Sequence, residues 1–500
     1  MLLWFVIIYW IVSVGIGLWA GTLVKNSKDF AVAGRALPMY VVTATVFATW
    51  FGSETVLGIP ATFLREGLGG VVADPFGASM CLILVGLFFA RPLYRMNLLT
   101  IGDFYRNKFG RTVEAMTTIC IVLSYLGWVA AQISALGLVF NVVSGGSMSQ
   151  STGMMVGAAT VLVYTMWGGM WSVAITDFLQ MIIIVVGMLY IGWDVSQLAG
   201  GVGPVVRHAI DAGKFSNFFP EASLAGVLGF LAAAVTMMLG SIPQQDVFQR
   251  VASSKNETIA GRSAVLGGAM YFCFAFIPMF LAYSATLIDP GMVDKLINGD
   301  KQSQLILPNM ILAHAPVFAQ VMFFGALLSA IKSCASATLL APSVTFTENI
   351  LKPNLKHLSD KQLLRMMRVV VLCFTAMVTL FALNSNLSIY KMVENAYKIT
   401  LVAAFVPLAF GLYWKRASQL GALLAIMLGL VVWIGMEVTA PDAACPPQLA
   451  GLIASLIGML VGSLVSQGKE VPVQEPGHRA AHSAAHHAAH AGVAQDHAAR

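Results

Sequence analysis

Two stretches decide the fold: Ala48-Thr-Trp-Phe-Gly-Ser-Glu54, followed by Gly58-Ile-Pro60, and Leu239-Gly-Ser-Ile-Pro-Gln-Gln-Asp246. Each places a Gly-Ser pair, a nearby proline and an acid inside or at the end of an apolar run. Glycine and proline weaken a helix there. The backbone groups they free are tolerated at membrane depth only where they line a cavity or bind something. The first stretch opens a set of five apolar spans and the second opens another set. Because five is odd, the second set starts from the opposite side of the membrane. Interrupted helices at matching places in two inverted sets point to a transport site near the bilayer midplane. Gly-Ser pairs also allow close helix packing, and the matched positions weigh against that plainer account.

Around these stretches the chain is 58% hydrophobic and 10% charged, more apolar surface than one water-soluble core can hide. An all-α integral membrane protein is expected. Thirteen helical spans are predicted, at 2-23, 38-59, 72-90, 113-143, 152-168, 172-193, 224-243, 264-287, 317-347, 367-384, 389-413, 417-438 and 448-467. They divide the chain into an extra N-terminal helix and loop (1-37), a first repeat (38-193), an extracellular loop (194-223), a second repeat (224-416), two C-terminal helices (417-467) and a tail (468-500). One set of alternate loops carries 21 of the 29 lysines and arginines, and the other set carries five. The positive-inside rule then puts the amino terminus outside and the carboxyl tail in the cytoplasm of a cell (inner or plasma) membrane. The net charge of +6 records this bias and suits anionic lipid headgroups, with no call for nucleic acid. The first apolar run lacks a basic n-region and a cleavage site, so it reads as a retained span. No nucleophile-base arrangement or cofactor motif suggests an enzyme.

The stretch Ser329-Ala-Ile-Lys-Ser-Cys-Ala-Ser-Ala-Thr338 places a lysine within the apolar run from Val317 to Val344. An ammonium at bilayer depth costs upward of ~2.5 kcal/mol, so Lys332 is expected to face an internal partner and not lipid. At 100° per residue it points about 155° away from the stripe of Ala330, Ser333, Cys334 and Ala337.

Several strings resemble the sodium:solute symporter family: Gly34-Arg35, Thr100-Ile-Gly-Asp-Phe104, Gly168-Gly-Met-Trp-Ser-Val-Ala-Ile-Thr-Asp-Phe-Leu-Gln180, Phe248-Gln-Arg250 and Gly411-Leu-Tyr-Trp-Lys-Arg416. The resemblance covers about residues 1 to 467, and local motifs are most similar to its high-affinity choline transporter branch. It implies a LeuT-type five-plus-five inverted-repeat core that couples inward sodium flow to uptake of a small polar organic solute by alternating access. It also implies a cation site built from the backbone oxygens of Ala48, Phe51 and Ala330 and the side chains of Ser333 and Cys334. Oxygen ligands suit a small hard cation, whereas the Cys334 thiol is soft and departs from the pattern. Lys332 is a second departure. In some members the aspartate matching Asp177 helps hold an additional sodium beside the position of Ser336. Lys332 is therefore expected to pair with Asp177 as a tethered cation in place of that ion.

On the solute side, Trp50, Ser53 and Glu54 lie at the first interruption and Gln244 at the second, while Trp128 and Gln132 share a helix face. By resemblance, Trp50 and Trp128 match two aromatics that cage a quaternary ammonium through cation-π attraction. Gln244 stands where another tryptophan is expected, and half a cage suggests a ligand more polar than choline. Glu54 and Asp74 are candidates to receive an amine, and Arg65 a carboxylate. Sodium is the expected co-substrate and no cofactor is implied. Proton-coupled or cation-independent transport stays open, as does a sensor acting with a separate signalling partner. In the tail, His478, His482, His486 and His490 recur every four residues, a stripe that would bind zinc, copper or nickel only if the segment became helical.

Overall fold

The computed structural model describes residues 2-299, 301-355 and 358-466, so the tail histidines lie outside the described residues. The long apolar runs form helices, the conformation that satisfies backbone groups internally where water is absent. We number the main ones α1 (Leu2–Ala20), α2 (Met39–Trp50), α3 (Ile59–Glu66), α4 (Leu68–Arg95), α5 (Arg111–Val143), α6 (Gln150–Leu198) and α7 (Leu224–Gly240). There follow α8 (Gln245–Ser253), α9 (Glu257–Ile288), α10 (Val317–Phe346), α11 (Asp360–Asn384), α12 (Ile389–Tyr413), α13 (Gln419–Thr439) and α14 (Pro447–Val465).

Among the described residues, ten helices are long and apolar enough to cross a membrane, and the bent pair α7 and α8 makes up to eleven. The difference from thirteen has two physical causes. One is α6, whose 49 residues would run about 73 Å if straight, over twice the roughly 30 Å hydrocarbon core. Gly169, at φ 48° and ψ −142°, leaves the helical region and divides it where two spans were expected. The other is the run from 38 to 59, where α2 stops at Trp50 and is too short to count alone. Phe51 takes a non-helical φ of −82° and ψ of 74°, and the chain then resumes in a wide helical turn, Glu54–Gly58, that leads into α3. The second break, between α7 and α8, bends the chain by 44°.

The broken helices sit inside the bundle. α2 packs against α6, α9 and α10, whereas α1 lies outside against α6 and α10, and α13 pairs with α14. At the end of α10 a polar knot ties down the helix Ile101–Phe109. The Asn349 amide donates to Asp103 Oδ1 at 3.0 Å and to Glu114 Oε1 at 2.8 Å, and Arg111 donates to Glu114 Oε2 at 2.8 Å.

Gly169 also meets Phe30 closely, since a Cβ there would come within 2.5 Å of the Phe30 ring and 2.6 Å of its carbonyl oxygen. Gly169→Ala adds backbone strain to a clash, a cost of about 2–4 kcal/mol. Thermal unfolding of the purified variant should show a clear fall in melting temperature. Gly192→Ala, whose Cβ would sit 3.5 Å from Ile277, should leave it unchanged. Equal melting temperatures for the two variants would contradict this account of the break.

Candidate cation and solute site

The first break and α10 bring the cation candidates together. Ala48, Phe51, Ala330, Ser333 and Cys334 are all fully buried, on helices that pack directly against one another. The Cys334 thiol lies against the break itself: a Cβ on Gly52 would come within 2.9 Å of its Sγ and 2.7 Å of Glu54 Oε2. Glycine is required at 52 by that approach. Cation and solute candidates thus share one wall.

Asp177 of α6 closes this group from the side. Ser333 Oγ donates to Asp177 Oδ1 at 2.5 Å, and Thr45 Oγ1 donates to Asp177 Oδ2. The carboxylate bridges α2 and α10, the two helices expected to flank the ion. Thr45 was not among the sequence candidates, although it lies one turn before Ala48 and Thr49. Ser336 Oγ turns back to the Ser333 carbonyl at 3.0 Å.

The expected ion pair between Asp177 and Lys332 is not formed. Lys332 does point away from the cation face, as the helical angle required. Its Nζ donates to Ser13 Oγ of α1 and lies 5.7, 4.9 and 5.1 Å from the ring centroids of Tyr9, Trp10 and Tyr164. The two side chains have different partners, Lys332 bonding to Ser13 and Asp177 to Thr45 and Ser333. Its partners stand on the extra N-terminal helix and on the first half of α6.

Four of the solute candidates, Trp50, Glu54, Trp128 and Gln132, come together at the first break. Trp128 Nε1 donates to Glu54 Oε1 at 3.3 Å, Gln132 Nε2 donates to Glu54 Oε2 at 2.7 Å, and the Ser53 backbone N–H donates to Gln132 Oε1 at 3.0 Å. Trp50 and Trp128 meet edge to face with centroids 5.8 Å apart. Gln244 Nε2 lies 2.9 Å from Ser124 Oγ, one turn from Trp128. Among the described residues, the buried hydroxyl oxygens of Thr49, Ser53 and Ser241, at the two breaks, have no hydrogen-bond partner, nor does the Tyr397 hydroxyl. These are free polar groups in a region otherwise closed: Trp50, Glu54 and Trp128 are each at most 2% exposed.

Beside the place that Gln244 leaves without a ring, three tyrosines extend the aromatic group, Tyr125 one turn from Trp128 on α5, Tyr271 from α9 and Tyr397 from α12. Tyr397 stacks on Trp50 at 6.2 Å and reaches Trp128 at 5.4 Å, Tyr271 meets Trp50 at 6.4 Å, and Tyr125 stacks on Trp128 at 6.0 Å. Two of them also donate to buried acids, Tyr271 to Asp74 and Tyr125 to Asp246, each at 2.5 Å. Gln245, next to Gln244 at the second break, is used structurally, accepting from the Ile101 N–H at 2.8 Å. Arg65 forms an ion pair with Glu66 at 3.2 Å and, with Tyr390 and Glu394, lines a separate cavity of about 200 Å³.

Comparison with known proteins identifies the family and the fold. The model of the sodium:solute symporter family matches residues 30–429. High-affinity choline transporter 1 of Caenorhabditis elegans is 27% identical over 449 residues, covering 85% of this chain and 76% of that protein. The human high affinity choline transporter 1 is 28% identical over 450 residues, covering 86% and 75%. The high-affinity proline transporter PutP of Bacillus subtilis is 26% identical over 439 residues, covering 84% and 89%. Among solved structures, a substrate-bound, outward-open sodium-coupled sialic acid symporter aligns with a TM-score of 0.80 at 18% identity, covering 94% of this chain and 99% of that one. MhsT in complex with L-phenylalanine aligns with a TM-score of 0.53 at 15% identity, covering 85% and 97%. The shared architecture is the LeuT-type helical core. With that core, its broken helices and a match over most of its length, the chain belongs to the sodium:solute symporter family, sodium-coupled secondary transporters of small organic solutes and not enzymes.

Proposed function

We propose that the solute is a small organic cation, held in the cage of Trp50, Trp128, Tyr271 and Tyr397 with Glu54 as its counter-charge. One observation carries this reading. Glu54 is buried among aromatic faces and receives only neutral donors, Trp128 and Gln132; among the described residues no lysine or arginine is bonded to it. A quaternary or protonated amine gains about 2 kcal/mol or more from desolvated ring faces. An anionic solute would instead meet the like charges of Glu54 and Asp74 in a low-dielectric site. The choline transporters in the family handle a cation of this class.

Sodium in this reading sits between the first break and α10, on the carbonyls of Ala48, Phe51 and Ala330 and on Ser333 Oγ, with the Cys334 thiol beside it. Asp177 holds Thr45 and Ser333 at its rim. Drawing the Phe51 carbonyl onto the ion fixes the break, and the break sets Glu54 three residues further on. That short link couples ion to solute. The lysine and arginine bias orients the chain with its amino terminus outside, so an inward sodium gradient drives uptake. Alternating access opens the cage to one side at a time, and the form described here is closed around it.

Thermal stabilisation of the purified protein tests the solute class, because a ligand stabilises with the logarithm of its occupancy. Choline and tetramethylammonium should stabilise the protein in sodium, and proline and acidic sugars should not. Trp128→Leu should weaken that response by roughly 30-fold in affinity, the equivalent of about 2 kcal/mol. Stabilisation by the carboxylate solutes alone would contradict the cationic reading. A second variant addresses the thiol: Cys334→Ser offers a hard oxygen and should lower the sodium concentration at half-effect about fivefold, one net hydrogen-bond-sized interaction. An unchanged midpoint would remove Cys334 from the ligand set.

A further inference from the structure

We propose that Lys332 is a fixed positive charge that weakens cation binding on the opposite face of α10; this rests on the sodium site proposed above. Three observations point to it. Lys332 is fully buried, and among the described residues no carboxylate pairs with it. Its ammonium is ringed by Tyr9, Trp10 and Tyr164 with Ser13 as acceptor, contacts that offset part of the cost of burying a cation. Its main chain is pinned as well, since the Tyr164 hydroxyl donates to the Lys332 carbonyl at 3.1 Å and the Tyr9 hydroxyl lies 2.5 Å from Ser329 Oγ. The charge therefore has one position relative to the residues that follow it in the helix.

Those residues are Ser333 and Cys334, on the face that Asp177 closes. Asp177 draws a cation to that face, and Lys332 offsets part of the attraction from behind. An α-helix with its side chains is about 10–12 Å across, and at that separation an effective dielectric near 20 gives a repulsion of about tenfold in the dissociation constant of a monovalent cation. The effect carries no ionic selectivity, because a distant point charge repels sodium and potassium alike. A carrier that must release its ion on the inner side gains a weaker hold without losing the ligands that select sodium.

The test is a sodium titration of thermal stability at constant ionic strength, with potassium as the balancing salt. Lys332→Met should lower the sodium midpoint about tenfold, leaving the order of preference between sodium and potassium unchanged, while Lys332→Arg should keep the wild-type midpoint. Lys332→Gln keeps a partner for Ser13 and reads the same loss of charge should the Met variant not fold. A wild-type sodium response that both neutral variants leave unchanged, or weaken, overturns the role of Lys332 alone. A wild-type protein that sodium and potassium stabilise equally overturns the sodium site and this role with it.

Discussion

The break between Trp50 and Glu54 is the constraint on which the rest of the molecule depends. Within seven residues the chain carries both the carbonyls proposed as cation ligands, at Ala48 and Phe51, and the ring and carboxyl group proposed for the solute, at Trp50 and Glu54. A continuous helix would consume those carbonyls in its own hydrogen bonds. The break is held from outside: Ser53 gives its N–H to Gln132, the Thr55 hydroxyl bonds to the Trp50 carbonyl at 3.2 Å and to the Tyr271 hydroxyl at 3.1 Å, and Gly52 leaves room for Cys334. Neighbouring helices therefore maintain a conformation that the local sequence only permits.

The buried charges follow the same logic. Glu54, Asp74 and Asp177 each receive neutral donors, which lower the cost of burial without cancelling the charge. Asp246 differs, with Arg250 one turn on and bonded to its carbonyl at 3.0 Å. The interior around the cage thus holds carboxyl groups that, among the described residues, no basic side chain is bonded to, a suitable environment for two visiting cations. Lys332 is the counterpart behind the site, a cation given aromatic faces in place of an anion. One buried charge in this protein is thus satisfied by rings, as the solute is proposed to be.

How much of this was legible in the sequence depends on range. The spans, the two breaks and the cluster of Trp50, Glu54, Trp128 and Gln132 follow from hydropathy, from glycine and proline, and from one-turn spacing. The helical angle gave the direction of Lys332 correctly. It could not say what stands in that direction, and the partner came from α1, which lies outside the two repeats, so Asp177 was the wrong choice. Tyr271 and Tyr397 were missed because each is an ordinary tyrosine in its own helix, and only tertiary packing brings them over Trp50. The Tyr397 hydroxyl, unpaired among the described residues, and the polar run around Glu394 and Asn395 are the signals to seek in similar chains.

The central claim is that one break couples ion and solute, and coupling of this kind is reciprocal. The most direct measurement is the equilibrium affinity for a quaternary ammonium such as choline, read across a sodium titration, together with the sodium affinity read with and without choline. The account predicts that sodium tightens choline binding, and that choline tightens sodium binding by the same factor. A choline affinity that is identical in sodium and in potassium would contradict it.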